Sequence, residues 1–566
     1  MSDREVMQES RVVGAELRLG RYEPAVQARL ERWQSESFGS RLWGKDHTVW
    51  SARPVPELTD RLGWLKLPES MRTQAEDLAR FGQEARAAGF RDAVVLGMGG
   101  SSLAPEVFAR TYGSGQGYPA LSVLDSTHPE AVRSLAARLD PTRTLFVVSS
   151  KSGTTTETLS LFRAFWQWTA EALASTYEAG RRFVAVTDPG TPLEKLARER
   201  GFRAVFNAPE DVGGRYSALT NFGLVPAALL GVDVRELLLR ARAMAEACTG
   251  PAASSNPGLV LGAALGELAL AGRDKVTFLA SRGIESFPDW IEQLIAESTG
   301  KIGRGIVPVV GERTGEAGDP GAYGQDRFFV GLFSGEDKPL EMRLAALETA
   351  GHPVARFRLS EPADLGREMF RWEMATAAAG AVLGVNPFDQ PDVQLAKELA
   401  TRAMKERSSG APAAPSNEIR ASDAGPLGSA LEHWLAGAGA GSYLGVHAYL
   451  PAGRETTEIL RDIQARLRDR TRLATTFGYG PRFLHSTGQL HKGGPDECRF
   501  LQLVDSPAED VAVPETAYTF GTLIHAQADG DRQALEQRDR EVLRLQLGAD
   551  DEQGLYRLLQ DLGTAF

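Results

Sequence analysis

The chain has 566 residues, 42% of them apolar and 24% charged, and a formal net charge of −11. This length exceeds what one hydrophobic core usually supports, so two to four packing units are expected. The acidic balance argues against a general binder of nucleic acid or anionic membranes, although it leaves room for a local positive site. The two cysteines, Cys248 and Cys498, lie far apart, and the N-terminus is polar with no apolar run. We therefore expect a cytoplasmic protein with no disulfide framework and no metal site.

The first half of the chain predicts a parallel sheet covered by helices. Residues 1–50 have apolar positions at helical spacing and no strand alternation, so we expect a helical segment there. From about residue 85, short apolar runs alternate with helical stretches. These runs lie at 92–100, 118–125, 143–150, 182–188 and 202–207. Short buried strands that alternate with helices are typical of a doubly wound sheet.

A second series of the same kind begins near residue 257. Its predicted strands lie at 275–281, 304–310, 327–333 and 353–359. Residues 408–442 are rich in Ala, Gly, Ser and Pro, which predicts a flexible linker. Beyond it, apolar runs at 442–450 and 499–505 flank a charged helix near 456–470. They predict a third, smaller α/β unit.

The fold class expected from these patterns is α/β, with two doubly wound parallel-sheet domains and a smaller C-terminal α/β unit. The predicted division of the chain is a helical segment 1–50, a first domain 51–245, a second domain 246–407, a linker 408–442 and a C-terminal unit 443–566.

The string SSKSGTTTET at 149–158 is the most informative local feature. It lies where an apolar strand turns into a helix, and there free backbone N–H groups attract anions. Hydroxyls of Ser150, Ser152 and Thr155 can bind phosphate oxygens, Lys151 adds charge, and Gly153 lets the backbone approach closely. For a single serine, a helix N-cap is the commoner explanation, but the whole string favours a phosphate site. The order is not GxxxxGK[ST], so a nucleotide is disfavoured.

A second glycine-rich turn, GMGG at 97–100, also follows a predicted strand. It could be a weak dinucleotide-binding fingerprint, but the third glycine of that pattern falls on Ser102. A nicotinamide cofactor is therefore the lesser alternative, and no cofactor is expected.

Four segments together resemble a known family. The phosphate loop SSKSGTTTET looks like that of sugar isomerase (SIS) domains. Three other segments resemble the glucose-6-phosphate isomerase branch, namely GMGGSSLAPEVF (97–108), GGRYSALTNFGLVPAALLG (213–231) and LGVNPFDQPDVQLAK (383–397). In particular, they are similar to the isomerase portion of bifunctional transaldolase/glucose-6-phosphate isomerases. The resemblance implies SIS-type domains and cofactor-free interconversion of glucose 6-phosphate and fructose 6-phosphate.

Three catalytic roles follow from the resemblance. Glu297, in ESTGK, matches the base that moves a proton between C1 and C2. Arg215, in GGRYS, matches the group that stabilises the enediolate, and a fixed, permanently charged donor suits that task. Lys397 matches the lysine at the sugar ring and O1, which assists ring opening. Each of these residue types lies more often on a solvated surface, and only the motif match favours the catalytic role.

The resemblance also implies substrate contacts. Gly100 and Ser101 match residues that contact sugar hydroxyls. Glu157 matches one that contacts the sugar or supports the base. Gln390 matches a contact to the phosphate.

The histidine that opens the ring has two candidates, because GPRFLHSTGQLHKGG (480–494) contains His485 and His491. Imidazole transfers protons well near neutral pH. The string LHSTGQ resembles the family's LHSxGQ segment, which favours His485. In the family this segment normally precedes NPFDQ, whereas here it follows. The histidine must then reach the site from the C-terminal unit or from a neighbouring subunit.

Three other functions remain open from the sequence. They are a dual glucose/mannose phosphate isomerase, a non-catalytic phosphosugar-binding regulator, and a pathway fusion partner or scaffold whose residues 408–566 make protein contacts. The expected partner is a small-molecule phosphosugar, with neither nucleic acid nor membrane, and the chain could act as a homodimer or a monomer.

Overall fold

The computed structural model describes residues 14–312, 320–408, 419–496 and 498–564, which contain three five-stranded sheets. The strands are β1 (Ala15–Arg18), β2 (Asp92–Leu96), β3 (Ala120–Leu124), β4 (Thr144–Ser149), β5 (Phe183–Thr187), β6 (Ala204–Asn207), β7 (Lys275–Ala280), β8 (Val307–Val309), β9 (Arg327–Ser334), β10 (Val354–Leu359), β11 (Ile419–Arg420), β12 (Tyr443–Tyr449), β13 (Ala474–Tyr479), β14 (Cys498–Val504) and β15 (Glu541–Gln546). The α-helices are α1 (Glu23–Ser35), α2 (Phe38–Trp43), α3 (Leu67–Ser70), α4 (Ala75–Ala87), α5 (Leu103–Tyr112), α6 (Pro129–Ala136), α7 (Thr156–Leu173), α8 (Thr176–Gly180), α9 (Pro192–Glu199), α10 (Asn221–Leu229), α11 (Val234–Ala247), α12 (Pro257–Leu270), α13 (Phe287–Thr299), α14 (Lys338–Thr349), α15 (Asp364–Leu383), α16 (Gln394–Ser408), α17 (Ala424–Ala436), α18 (Arg454–Thr471), α19 (Gly488–Gly493), α20 (Phe520–Glu536) and α21 (Asp551–Thr564). None of the helices in these ranges is long and apolar enough to cross a membrane.

The first sheet has the order β3-β2-β4-β5-β6, with every strand parallel to its neighbours. All six residues of β4 are buried, which explains its apolar sequence without alternation. Leu96 lies beside Val148, and Ser149 lies beside Val186. The carboxyl ends of β2, β4 and β5 therefore meet at one edge, where loops of a parallel sheet usually bind ligands.

The second sheet has the order β1-β10-β9-β7-β8 and is parallel except for β1. Strand β1 runs antiparallel to β10, with Ala15 opposite Phe357. The prediction that residues 1–50 form only helices is wrong at this strand. Four residues are too few for a periodic pattern, and the free edge of β10 supplies the hydrogen bonds that make them a strand. Residues 1–13 lie outside the described part.

The third sheet has the order β11-β15-β14-β12-β13 and is parallel throughout. The predicted strands at 442–450 and 499–505 and the charged helix are present as β12, β14 and α18. The prediction of a flexible linker is wrong for its described residues 419–442, since β11 belongs to the sheet. On α17, Leu427, Leu431 and Trp434 are buried in the core of this unit. Residues 409–418 of the predicted linker lie outside the described part.

The three sheets are joined by apolar packing. One continuous core links the first and second sheets through α10, α11, α12 and α15. Val309 of β8 packs with Tyr443 of β12, and Phe520 of α20 packs in the apolar cluster over the first sheet. The third unit therefore contacts both of the others. The predicted α/β fold class is confirmed, and this packing brings loops of the third unit to the edge of the first sheet.

Candidate active site

The predicted phosphate loop, residues 149–158, connects β4 to α7. The hydroxyl oxygens of Ser150 and Thr155 lie 2.9 Å apart, and the N–H of Gly153 donates to Ser150 Oγ at 3.2 Å. Gly153 has φ +67°, and a Cβ there would lie 2.8 Å from the Leu193 nitrogen, so only glycine fits without strain. Thr155 occupies the N-cap position of α7, but its side chain makes no capping hydrogen bond. The first amides of an 18-residue helix therefore point out of the loop without a side-chain cap.

Two loop residues predicted to bind phosphate already have protein partners. Lys151 forms an ion pair with Asp188, which follows β5, and its ammonium also lies 3.4 Å from the Glu210 carbonyl oxygen. Ser152 Oγ lies 3.0 Å from the hydroxyl of Thr154. The positive charge predicted for the loop is therefore balanced by a carboxylate.

Glu157, in the first turn of α7, lies beside His485. The Nε2 atom of His485 is 3.0 Å from Glu157 Oε1, and the glutamate is buried. Burial alone would raise the pKa of Glu157, but the charge and hydrogen bond of His485 and the charge of Lys397 hold it below its ordinary value. An ionised carboxylate on one imidazole nitrogen orients the ring. The arrangement suits proton transfer by His485.

His491 lies in a different environment. It is 2% exposed, and its Nδ1 is 2.9 Å from the hydroxyl of Tyr443 inside the third unit. Burial, together with the neighbouring His447 and Lys492, holds the pKa of His491 well below its ordinary value. The structure brings His485 to Glu157 and leaves His491 in the core.

Arg215 is held by four neutral acceptors. It follows the two glycines of GGRYS in a short 3-10 helix and is 2% exposed. Its guanidinium donates to Ser298 Oγ at 2.9 Å, to Gln390 Oε1 at 2.9 Å, and to the carbonyl oxygens of Pro387 and Asp389 at 2.8 and 2.9 Å. These contacts fix the planar group without cancelling its charge.

Glu297 lies near the C-terminal end of α13, which ends at Thr299 as the Ser-Thr-Gly sequence predicted. Its Oε1 is 3.5 Å from Arg215 Nη1, and its side chain is 12% exposed. The amide of Gln293, one turn earlier, donates to Glu297 Oε2 at 3.3 Å and to the His485 carbonyl oxygen at 2.7 Å. One glutamine thus ties the carboxylate to the histidine segment.

Two further residues join the loops around Glu297. The amide of Gln489, the last residue of LHSTGQ, donates to the Gly300 carbonyl oxygen at 2.9 Å and to Asp392 Oδ2 at 2.7 Å. Buried Lys301 lies 3.1 Å from the Asp389 carboxylate. Burial first, and the Arg215 charge second, lower the pKa of Lys301 to about 7. The roles of Gln293 and Gln489 were missed in the sequence, although Gln489 lies inside the quoted histidine segment.

The GMGG turn packs directly against these segments. Gly99 has φ +54°, and a Cβ there would lie 2.6 Å from the His485 carbonyl oxygen. A Cβ on Gly100 would overlap the backbone of Gly214 in GGRYS. Ser101 follows in the same short 3-10 helix and is buried. The two glycines therefore allow the GMGG turn to pack closely against the His485 segment and against GGRYS.

Lys397 lies in the first turns of α16 and is exposed. The positive charge of Lys397 helps to lower the pKa of the buried Glu157 carboxyl. Glu157, Arg215, Glu297, His485 and the segment with Gln390 and Lys397 come from five distant parts of the chain and lie near the edge where β2 and β4 end.

Comparison with known proteins identifies similar chains. A model of the phosphoglucose isomerase family matches residues 66–340. A glucose-6-phosphate isomerase of Rubrobacter xylanophilus is 32% identical over 394 residues, which cover 61% of this chain and 90% of that protein. A glucose-6-phosphate isomerase of Thermus thermophilus is 32% identical over 391 residues, with the same coverage of 61% and 90%.

Two solved structures are also similar. A hypothetical protein from Thermus thermophilus has a TM-score of 0.59 at 29% identity and covers 68% of this chain and 99% of its own. A glucose-6-phosphate isomerase from Chlamydia trachomatis has a TM-score of 0.58 at 20% identity, with coverage of 72% and 92%. The second likeness concerns the fold alone.

Proposed function

The chain belongs to the glucose-6-phosphate isomerase family, and from that relationship we propose that it is an aldose–ketose isomerase that interconverts glucose 6-phosphate and fructose 6-phosphate. One observation carries the proposal: the Glu297 carboxylate lies 3.5 Å from a fixed, buried Arg215 guanidinium, next to the segment of His485. A base, an anion-stabilising cation and a proton donor are what this isomerisation needs. The route would be a cis-enediolate, within glycolysis and gluconeogenesis.

Substrate binding begins at the phosphate loop. The phosphate oxygens accept hydrogen bonds from the amides that begin α7 and from the hydroxyls of Ser150, Ser152 and Thr155. Rotation of the exposed Ser152 hydroxyl away from Thr154 is sufficient for this contact. Lys151 contributes through its field, because its ammonium is held by Asp188.

Ring opening precedes proton transfer from carbon. Protonated His485, oriented by Glu157, gives a proton to the ring oxygen as the bond from C1 to that oxygen breaks. The exposed Lys397 assists by polarising O1, and the O1 proton passes to solvent water as the aldehyde forms. Gly100 and Ser101 contact the sugar hydroxyls. Gln390 orients Arg215 and also contacts the phosphate.

The isomerisation itself moves one proton between two carbons and one between two oxygens. The Glu297 carboxylate takes the proton from C2, and the electron pair of that C–H bond forms the C1–C2 double bond while O1 gains negative charge. Arg215 stabilises this enediolate. Glu297 then returns the proton to C1, while the proton of the C2 hydroxyl passes to O1, so that C2 becomes the ketone carbon and C1 a hydroxymethyl group.

The phosphate loop should govern substrate affinity. We expect Ser150→Ala to raise KM for fructose 6-phosphate about tenfold and to change kcat little, because it removes one charge-assisted hydrogen bond from a group that does not react. The matched control is Ser160→Ala on α7, where the hydroxyl contacts Tyr518 at 3.0 Å. Steady-state kinetics at constant ionic strength measure both. If KM is unchanged in Ser150→Ala, the Ser150 hydroxyl does not bind the phosphate.

The two histidines should behave differently when each is changed to asparagine. We expect His485→Asn to lower kcat about 100-fold, because asparagine cannot transfer a proton to the ring oxygen. His491→Asn should lower the melting temperature and leave kcat near the wild-type value, because His491 is a core residue bonded to Tyr443. Kinetics and thermal unfolding of both variants decide the assignment. The reverse pattern would make His491 the ring-opening residue.

The decisive assay follows isomerisation by the purified chain with glucose 6-phosphate and, separately, mannose 6-phosphate. Turnover of the glucose ester alone supports the proposal. Comparable turnover of both would make the chain a dual isomerase. Binding of either ester without turnover would make it a phosphosugar-binding regulator.

We propose a cytoplasmic location and a site that one chain completes. Both cysteines, Cys248 and Cys498, are free and buried, which fits a reducing compartment. His485 reaches Glu157 within the same chain, so a monomer could be active. Activity across a dilution series, with mass measured by light scattering, distinguishes a monomer from an obligate homodimer.

A further inference from the structure

A buried glutamine of the third unit contacts the Glu157 carboxylate. Gln527 lies on α20 and is 5% exposed. Its Nε2 donates to Glu157 Oε1 at 2.7 Å, and its Oε1 accepts a hydrogen bond from the fully buried hydroxyl of Thr127 at 2.7 Å. Thr127 follows β3 in the first unit. Both ends of the amide are therefore satisfied across the boundary between two units.

The same carboxylate oxygen also lies 3.0 Å from Nε2 of His485. A carboxylate oxygen accepts about two hydrogen bonds, so the imidazole and the amide together occupy Glu157 Oε1. The two donors come from different segments of the third unit. The position of the oxygen, and hence of the ring that bonds to it, depends on the amide that holds it from the other side.

We propose that Gln527 is a positioning residue of the active site, which acts through Glu157 to orient His485 for proton transfer to the sugar ring. The inference rests on the proposed function and extends it to a residue near the C-terminal end of the chain. Among the described residues, Gln527 contacts neither the hydroxyls of the phosphate loop nor Glu297. Its loss should therefore affect a catalytic step more than substrate binding.

The third unit has other attachments near this point. His128 Nε2 lies 3.0 Å from Asp505 Oδ2, and both side chains are buried. Arg482, at the start of the histidine segment, lies 3.1 Å from Asp125 and forms a second ion pair with Glu106. These contacts hold the unit in place without Gln527, so its substitution should not release α20 from the first unit.

The test compares two buried glutamines of the third unit, each changed to methionine, which keeps the length and removes the amide. In Gln527→Met we expect kcat for glucose 6-phosphate to fall about tenfold with KM changed less than about twofold. The control is Gln464→Met on α18. Its amide donates to the carbonyl oxygens of Val310 and Thr475 at 3.0 and 2.7 Å, away from Glu157. It should lose stability and keep its kcat.

A second comparison uses Glu157→Gln as the background. If Gln527 acts only through Glu157, adding Gln527→Met to Glu157→Gln should lower kcat no further. If the fold losses of kcat multiply in the double variant, the proposal is overturned. An equal fall of kcat in Gln464→Met would also overturn it. Should Gln527→Met fail to fold, Gln527→Glu keeps the shape and turns the donor into an acceptor, and the same comparison applies.

The two proposals fail in different ways. An inactive wild-type chain would refute the isomerase function itself. An active wild type whose Gln527→Met variant keeps full kcat would refute only the positioning role.

Discussion

Replacing Glu297 by glutamine is expected to lower kcat about 1,000-fold or more, while binding of an unreactive sugar phosphate stays close to the wild-type affinity. Glutamine keeps the shape of glutamate but cannot take a proton from carbon, and a positioned base contributes about 100- to 10,000-fold to such a step. The neighbours of the side chain also tolerate the change, because Arg215 is held by four other acceptors. The fold of the site should therefore persist.

Two measurements check this expectation. Steady-state kinetics give kcat, and calorimetric titration with sorbitol 6-phosphate, which has no carbonyl group, gives the affinity. Solvent deuterium should no longer enter C2 of glucose 6-phosphate in the variant. The control is Glu292→Gln on the same helix, where burial and the neighbouring Asp289 raise the pKa of the carboxyl well above its ordinary value. Normal turnover in Glu297→Gln would show that another group is the base.

Replacing Arg215 by lysine is expected to lower kcat about 100-fold with a smaller change in KM. Lysine keeps the positive charge but concentrates it on one flexible ammonium, whereas the guanidinium is fixed by its hydrogen bonds in a planar fork. A donor that stabilises charge formed only during reaction typically contributes about 100- to 1,000-fold to kcat. The loss should therefore appear in the chemical step.

The matched control is Arg273→Lys. Arg273 is also 2% exposed and donates to Tyr22, to the Arg327 carbonyl oxygen and to Gln325, at 2.8, 3.1 and 3.0 Å. It lies beside the second sheet, so its replacement should lower the free energy of unfolding and leave kcat near wild type. Urea unfolding and kinetics of both variants separate the effects. Equal losses of kcat would mean that Arg215 supports the fold rather than the enediolate.

Strands surrounded by protein were predictable because burial on both faces requires an uninterrupted apolar run. Thus β4 and β9 follow from TLFVV and RFFVGLF alone. The strand β15, EVLRLQ, was missed because its two charged residues, Glu541 and Arg544, are spaced as on an exposed helix, and the preceding sequence is helical. It forms where β14 offers a free edge, with Leu501 beside Leu543. Such a sequence becomes a strand only when a partner strand is present.

The linker prediction failed for a related reason. The segment before β12 is rich in alanine and glycine, which is typical of flexible chains. It nevertheless contains Leu427, Leu431 and Trp434, spaced along one face of α17, and they fill the core of the third unit. Composition describes the average of a segment, whereas packing depends on a few side chains at the right spacing.

The sequence by itself determined the α/β class, the strand-to-helix loop at 149–158 and the motifs that contain Arg215, Glu297, Gln390 and His485. Each of these depends on neighbours along the chain, through an apolar run, a strand-to-helix turn or a short string of residues. Only the tertiary structure decided that His485 meets Glu157, that Asp188 takes the charge of Lys151, and that Gln527 reaches the site. Those contacts join residues up to 370 positions apart. The contacts of His485 and Gln527 with Glu157 arise from packing of the third unit on the first, which no local pattern encodes.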